Sequence, residues 1–269
     1  RMRTLIDRDL THRVRLPEDN LEIRVGPRRV RFEHDDLRVR IEQLSRRPYN
    51  DGRREMRDYL RDQARQLASG PTRFDQPDEA ELSEVDQLLG RIWPQLTAMP
   101  YLRDLLNSRD RLLEAAGSDF LAQDITHLHR PRADRLAEEV WAESDTPLLD
   151  YVEHRLNGHH LYAHVIVDEA QDLSPMQLLM IANRSRQGAY TVLGDIAQST
   201  GTWSRDDWED VIQILEKGCP VVFEELIFGY RVPKQVYEFA AQLFPTIAPG
   251  SNPPIAVRDG PSDPVITRV

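Results

Sequence analysis

After Gly158 the sequence alternates short β-branched runs with amphipathic segments of helical length, and that alternation constrains the fold more than any other feature. The first run, His164-Val-Ile-Val167, leads directly into the adjacent carboxylates Asp168 and Glu169 of the stretch DEAQD. An uninterrupted apolar run of this length reads as a strand of a parallel sheet covered on both faces. The expected order is strand 162–168, helix 175–185 begun by Pro175, strand 189–193, helix 206–216, strand 220–226 and helix 232–244. Right-handed βαβ units then give an α/β fold, with a parallel sheet and helices on both faces. Open sheets of this kind bind ligands beyond the carboxyl ends of their strands, where Asp168 and Glu169 emerge. One carboxylate suits Mg²⁺ and its waters, and the other suits proton abstraction from water. An acidic helix start explains the same two residues equally well in isolation.

Residues 1–158 read differently, as a mainly helical region. Apolar spacing predicts helices over 4–15, from Asp35 or Asp36 to Leu44, from Asn50 or Asp51 to Ala68, and over 82–93. Shorter helices follow at 100–107, 109–116, 119–129 and from Asp145 to Gly158. Two strands, 21–25 and 29–32, flank Gly26-Pro27, and Trp93 and Trp141 are core candidates. The Pro- and Gly-rich tail at 249–264 reads as a linker, so the expected division is 1–158, 159–245 and 246–269.

The net charge of −10 is unevenly spread. Residues 1–65 carry 18 arginines against 13 acids, an excess of +5, so the rest of the chain sums to −15. Such an acidic body argues against non-specific grip on DNA. Between 71 and 86, Asp75, Asp78, Glu79, Glu81, Glu84 and Asp86 face no basic residue after Arg73. A solvated loop and an acidic helix start account for them, and an acidic probe for a basic or metal-bearing partner surface is the functional alternative. A single cysteine, Cys219, excludes an intramolecular disulfide and a cysteine-cluster metal site. No apolar stretch approaches the roughly 20 residues of a membrane span, which gives the expectation of a cytoplasmic protein without a membrane partner.

Two further motifs close strands of the α/β region. Thr191-Val-Leu-Gly-Asp-Ile-Ala-Gln198 ends one, and Glu225-Leu-Ile-Phe-Gly-Tyr-Arg231 ends another. Each is weak alone; in this order and spacing after DEAQD they resemble motifs II, III and IV of superfamily 1 helicase-type motors, the UvrD/Rep/PcrA group. The longer wording VDEAQDLSPMQ, VLGDIAQSTGTW and FGYRVPKQV is similar to the HelD-type, RNA polymerase-associated ATPases in their actinobacterial form. Arg91-Ile-Trp-Pro-Gln-Leu-Thr97 and Thr146-Pro-Leu-Leu-Asp150 add to that resemblance, which covers residues 80–258 well and the first 80 loosely.

The resemblance implies a RecA-like motor portion at 159–245 that uses ATP and Mg²⁺. Asp168 would hold the metal, and Glu169 would orient and deprotonate the attacking water. Gln171 would contact the nucleotide–metal region, and Gln198 would sense the terminal phosphate. Tyr230 would stack on adenine, with core packing as its competitor, and Arg231 would act as an arginine finger. It further implies RNA polymerase as partner, released from nucleic acid or stalled complexes, with displacement of rifamycins in some members. Residues 1–158 would then be the helical insertion that enters the polymerase channel, with Asp75, Asp78, Glu79 and Glu81 as contacts. A UvrD-like DNA helicase and a non-catalytic interaction module are the alternatives.

Two departures bear on these expectations. Gln198 is followed by Ser-Thr-Gly rather than an aromatic, which removes one base-stacking surface and counts against unwinding; Trp203 is either a stacking aromatic or a packing residue. No G-x-x-x-x-G-K-S/T loop occurs, and neither Lys217 nor Lys234, the two lysines, lies in a glycine-rich loop. The chain therefore reads as a central fragment that hydrolyses essentially no ATP alone and binds nucleic acid weakly.

Overall fold

A computed structural model of the chain describes residues 1–69, 77–199, 201–205, 207–243, 246, 255–265 and 267. It is a mixed α/β structure in two compact units, Arg1–His160 and Leu161–Val269. No helix among the described residues is long and apolar enough to cross a membrane.

The first unit is helical around one hairpin. Helix α1 (Met2–His12) is followed by β1 (Leu21–Val25) and β2 (Arg28–Phe32), which pair antiparallel with Ile23 opposite Val30. Alternation buries Ile23, Val25, Val30 and Phe32 and leaves Glu22, Arg24, Arg29 and Arg31 in solvent. Helix α2 (His34–Leu44) buries Leu37, Ile41 and Leu44, as their spacing predicts. Its cap differs from expectation: Asp35 and Asp36 lie inside the first turn, and Asn20 Oδ1 accepts the His34 N–H at 2.6 Å. Helix α3 (Tyr49–Ala68) turns a stripe of Tyr49, Met56, Leu60, Ala64 and Ala68 inward. Gly52 lies in that stripe because a Cβ there would meet the Leu44 carbonyl at 2.8 Å and the Trp93 ring at 3.0 Å. Trp93 is correspondingly sealed, edge-on to Tyr49, whereas Trp141 is only partly buried.

Helices α4 (Ser83–Ile92), α5 (Ala98–Leu106), α6 (Arg109–Ala116), α7 (Ala122–Leu128) and α8 (Thr146–Asn157) complete the unit. Helix α5 begins at Ala98, ahead of the expected 100, so Pro100 falls within its first turn, where its missing N–H costs nothing. Gly158, at φ +73°, ends α8 in a conformation that β-carbons disfavour.

The acidic stretch is not free of basic partners. Arg57, Arg61 and Arg65 lie one turn apart on α3. Arg57 holds Asp86 through two bonds of 2.7 and 3.1 Å, Arg61 reaches both Asp86 and Glu79 at 2.6 Å, and Arg65 reaches Glu79 at 3.1 Å. The Arg57 hydrogen bonds, with Arg61 adding, hold the Asp86 carboxyl well below the usual carboxylate range against the opposing effect of burial. Asp78 and Glu81 bond each other's backbone N–H reciprocally. The sequence reading of an unopposed acidic run is therefore corrected: its partners come from a helix about 20 residues upstream. Asp75 and Pro71 lie outside the described residues.

Ion pairs also lock the interior. Arg111 grips the buried Asp9 at 3.0 and 2.6 Å, and Arg130 grips Asp145, 1% exposed, with two bonds of 2.7 Å. Burial acts to raise the Asp145 pKa, but the Arg130 bonds and the Ala142 N–H outweigh it, so the group sits below its ordinary value. A depressed folded-state value contributes stability that is present above the ordinary carboxylate value and lost as pH falls through the folded one. Asp145→Asn is expected to cost about 3 kcal/mol at neutral pH by leaving Arg130 without its counter-charge. It should also flatten the fall in stability below about pH 4. Chemical denaturation as a function of pH measures both; an unchanged profile contradicts the assignment.

In the second unit β3 (Val165–Val167) pairs parallel with β4 (Tyr190–Val192), Val165 opposite Tyr190. Between them runs α9 (Pro175–Ala182), started by a reciprocal cap: Ser174 Oγ accepts the Gln177 N–H and Gln177 Oε1 accepts the Ser174 N–H. Helix α10 (Glu209–Leu215) packs Val211 and Leu215 on Leu178 and Ala182 of α9. Both helices are shorter than expected, and Asp206, the expected start of α10, lies outside the described residues. The third strand expected at 220–226 does not form. Val221 to Phe228 are all exposed, and β5 is only Phe228–Gly229, parallel to β6 (Ile255–Ala256). A strand exists only by pairing, and no neighbour among the described residues offers its backbone to 220–226. Helix α11 (Lys234–Ala241) follows, and residue 244 lies outside the described residues. The tail expected to be linker contributes β6 and its bonds back to β5, while 249–254 lie outside the described residues.

Candidate functional site

The parallel β3–β4 ladder builds the site by continuing beyond its strands. Leu193 N–H donates to the Val167 carbonyl at 2.8 Å, and Ala170 N–H donates to the Leu193 carbonyl at 3.0 Å. Residues 168–172 are thereby held against 193–198, at the carboxyl ends of both strands. Each loop closes in a 3-10 turn, Ala170–Asp172 and Ile196–Gln198.

Asp168 and Glu169 are exposed there. The Glu169 N–H donates to Asp168 Oδ1 at 2.9 Å, and the second Asp168 oxygen carries no hydrogen bond among the described residues. Glu169 has φ 51° and ψ 39° and is, among the described residues, the one non-glycine at positive φ. A left-handed residue other than Gly, Asn or Asp costs on the order of 1–2 kcal/mol, and such strain concentrates where a side chain must be aimed.

Behind them lies Gln171, 1% exposed. Its Oε1 accepts the Asp195 N–H at 3.1 Å, and its Nε2 donates to Glu169 Oε2 at 2.8 Å. The sequence expectation set Gln171 beside the nucleotide–metal region; in the structure its amide bonds Asp195 and Glu169. The Asp195 carboxylate caps the next turn, Oδ1 accepting from Ala197 N–H at 2.9 Å and Oδ2 from Gln198 Nε2 at 2.7 Å. Gly194 is required by this packing: a Cβ there would lie 2.3 Å from Gln171 Oε1 and 2.7 Å from the Trp208 ring.

One residue joins the site that sequence reasoning did not select. Arg205 donates to the carbonyls of Gln171 at 2.8 Å and Leu173 at 2.5 Å, pinning the DEAQD loop. Tyr237 on α11 has its pKa raised, first by burial and then by the negative charge of Asp195. Neither stands in a motif. Arg205 is read only from tertiary contact.

Asp168, Glu169, Gln171, Asp195 and Gln198 are thus one hydrogen-bonded group. Tyr230 and Arg231 are exposed after β5, and among the described residues no hydrogen bond or ion pair joins them to it. Trp203 is half-exposed, and Arg205 donates to its carbonyl.

Mg²⁺ suits this donor set as an ion held by one carboxylate, water and phosphate oxygens, because Asp168 offers one uncommitted hard oxygen. Among the described residues no group of three or more His, Cys, Asp or Glu is arranged as a metal cage. The phosphate side fits less well. Lys217 Nζ donates to the carbonyls of Ala182 at 2.7 Å and Ser185 at 2.9 Å, at the end of α9, and Lys234 lies 3.8 Å from Glu238. The Lys217 ammonium is committed to those carbonyls, while Lys234 makes only an exposed ion pair. No protein-family model matches the chain, and no curated protein sequence matches it.

Gly194→Ala is expected to push Gln171 off its two partners and to cost about 1–3 kcal/mol, the range for overpacking a closed site. Thermal unfolding measures it; an unaltered melting temperature would show that the loops are not in this contact.

Proposed function

We propose that the second unit is part of the ATPase centre of a HelD-like motor that binds RNA polymerase and recycles it from nucleic acid or stalled complexes. The observation that carries this reading is the joining of the DEAQD and GDIAQ loops through Gln171, at the carboxyl ends of two parallel strands. Water activation next to a phosphate calls for this set: a metal-binding carboxylate, a second carboxylate aimed at the water, and a polar side chain from the adjacent loop.

In this reading Asp168 would hold Mg²⁺, and the ion would supply neutralisation of charge on the phosphates of ATP. Glu169, its backbone forced into the left-handed region, takes the proton from the attacking water. Gln198 leaves Asp195 to meet the terminal phosphate. Arg231 and Tyr230, both exposed, would supply the finger and the adenine stack. The reading requires a phosphate-cradling loop and lysine that the sequence does not carry, since neither Lys217 nor Lys234 lies in a glycine-rich loop. The helical unit would be the polymerase-binding part, with rifamycin displacement as a further property of some such proteins. Asp78, Glu79 and Glu81 would meet a partner only in competition with their internal bonds. The acidic charge and the missing aromatic after Gln198 favour this over a UvrD-like helicase.

The absence of a glycine-rich phosphate loop from the sequence favours one second reading, a non-catalytic interaction module. Glu169→Gln in the intact protein separates the two. The ATPase reading expects turnover to fall by about 10²-fold or more, the lower end of what a positioned general base supplies, with nucleotide affinity retained. Normal turnover in that variant rejects the base. Capture of core RNA polymerase by the intact protein supports the partner, whereas tight single-strand binding with DNA-stimulated unwinding would support the helicase instead.

A further inference from the structure

We infer that Gln171 is the positioning residue of the site: it holds the Glu169 carboxylate in its working orientation and ties that orientation to the 194–198 loop. The inference rests on the ATPase reading for its catalytic consequence and on geometry for the tie itself.

The amide orientation follows from the network. Asp195 presents a backbone N–H, which only Oε1 can accept, so Nε2 necessarily faces Glu169 Oε2. The second Nε2 hydrogen points toward Asp172 Oδ2 at 3.4 Å, so one amide spans two carboxylates. The carbonyl of the same residue is held by Arg205 and, at 3.4 Å, by Ser199 Oγ. Backbone and side chain of Gln171 are therefore both fixed, in a residue sealed from solvent. Glu169 itself has an exposed side chain on a strained backbone, and its carboxylate accepts no other hydrogen bond among the described residues. Its carboxylate depends on Gln171 for a fixed direction.

The same side chain links two loops. Gln198 Nε2 binds Asp195 Oδ2, the Asp195 N–H binds Gln171, and Gln171 binds Glu169. A movement of Gln198 away from Asp195 therefore acts on the residue whose backbone anchors Gln171. The occupied or empty state of the 194–198 loop is relayed to the Glu169 carboxylate through a single buried amide. Gly194 is the sequence mark of this arrangement, because any β-carbon there would collide with the amide oxygen.

Two substitutions in the intact protein separate the parts. Gln171→Glu keeps an acceptor for the Asp195 N–H and removes the donor to Glu169, while Gln171→Met removes both and keeps the length. For each, kcat is expected to fall about 10- to 100-fold, the usual effect of losing a group that orients a working one. The KM for ATP is expected to stay within about twofold, as for an interaction that acts in the transition state rather than in binding. Amide hydrogen exchange across 193–198 should quicken in the Met variant and stay slow in the Glu variant. Wild-type kcat in Gln171→Glu overturns the positioning role, and unchanged exchange in Gln171→Met overturns the tie. A rise in KM that matches the loss of melting temperature in both variants assigns Gln171 to packing and overturns the inference as well. Absence of ATP turnover in the wild-type intact protein fails the ATPase reading itself, and with it the catalytic half of this inference; hydrogen exchange still tests the tie.

Discussion

The site depends on two backbone hydrogen bonds beyond the ends of a very short parallel ladder. Val165–Val167 and Tyr190–Val192 supply only three residues each. The bonds from Leu193 to Val167 and from Ala170 to Leu193 carry the pairing into the loops and fix which residues face one another. A parallel register slip by one residue would reverse the direction of Asp168 and detach Gln171 from Asp195. The strain at Glu169, the burial of Gln171 and the glycine at 194 are all local consequences of that register.

Charge is organised differently in the two units. In the first, arginines at one-turn spacing on α3 neutralise Glu79 ahead of α4 and Asp86 in its first turn, and buried pairs at Asp9 and Asp145 close the interior. In the second, carboxylates gather at the strand ends, and Arg205 serves backbone carbonyls rather than acids. An accumulation of negative charge that the protein leaves exposed is suited to a cation and to a proton acceptor, and poorly suited to nucleic acid.

The helical elements were legible because their apolar residues recur at helical spacing. Leu37, Ile41 and Leu44 are buried as that spacing requires, as are Leu82, Val85, Leu88, Leu89 and Ile92. The partners of Glu79 and Asp86 were not legible, since a stripe on α3 meets them only after folding. Nor was the fate of 220–226: its composition suits a strand, but pairing depends on a neighbour that composition does not name. At the site, the residue types of the DEAQD and GDIAQ loops pointed to one centre, and the pairing of β3 with β4 joins them. The inward turn of Gln171 was hidden, because a glutamine between acids carries no sign of burial. Arg205 was hidden because its partners are backbone carbonyls more than 30 residues away, which no motif names.

The central claim is that Asp168 marks a metal-dependent nucleotide site. Titration of ATP into the intact protein, with Mg²⁺ and with EDTA, tests it most directly when wild type and Asp168→Asn are compared. The account predicts Mg²⁺-dependent binding in the wild type that loses its metal dependence in the variant. Equal affinity in all four conditions, or no nucleotide binding at all, would contradict it.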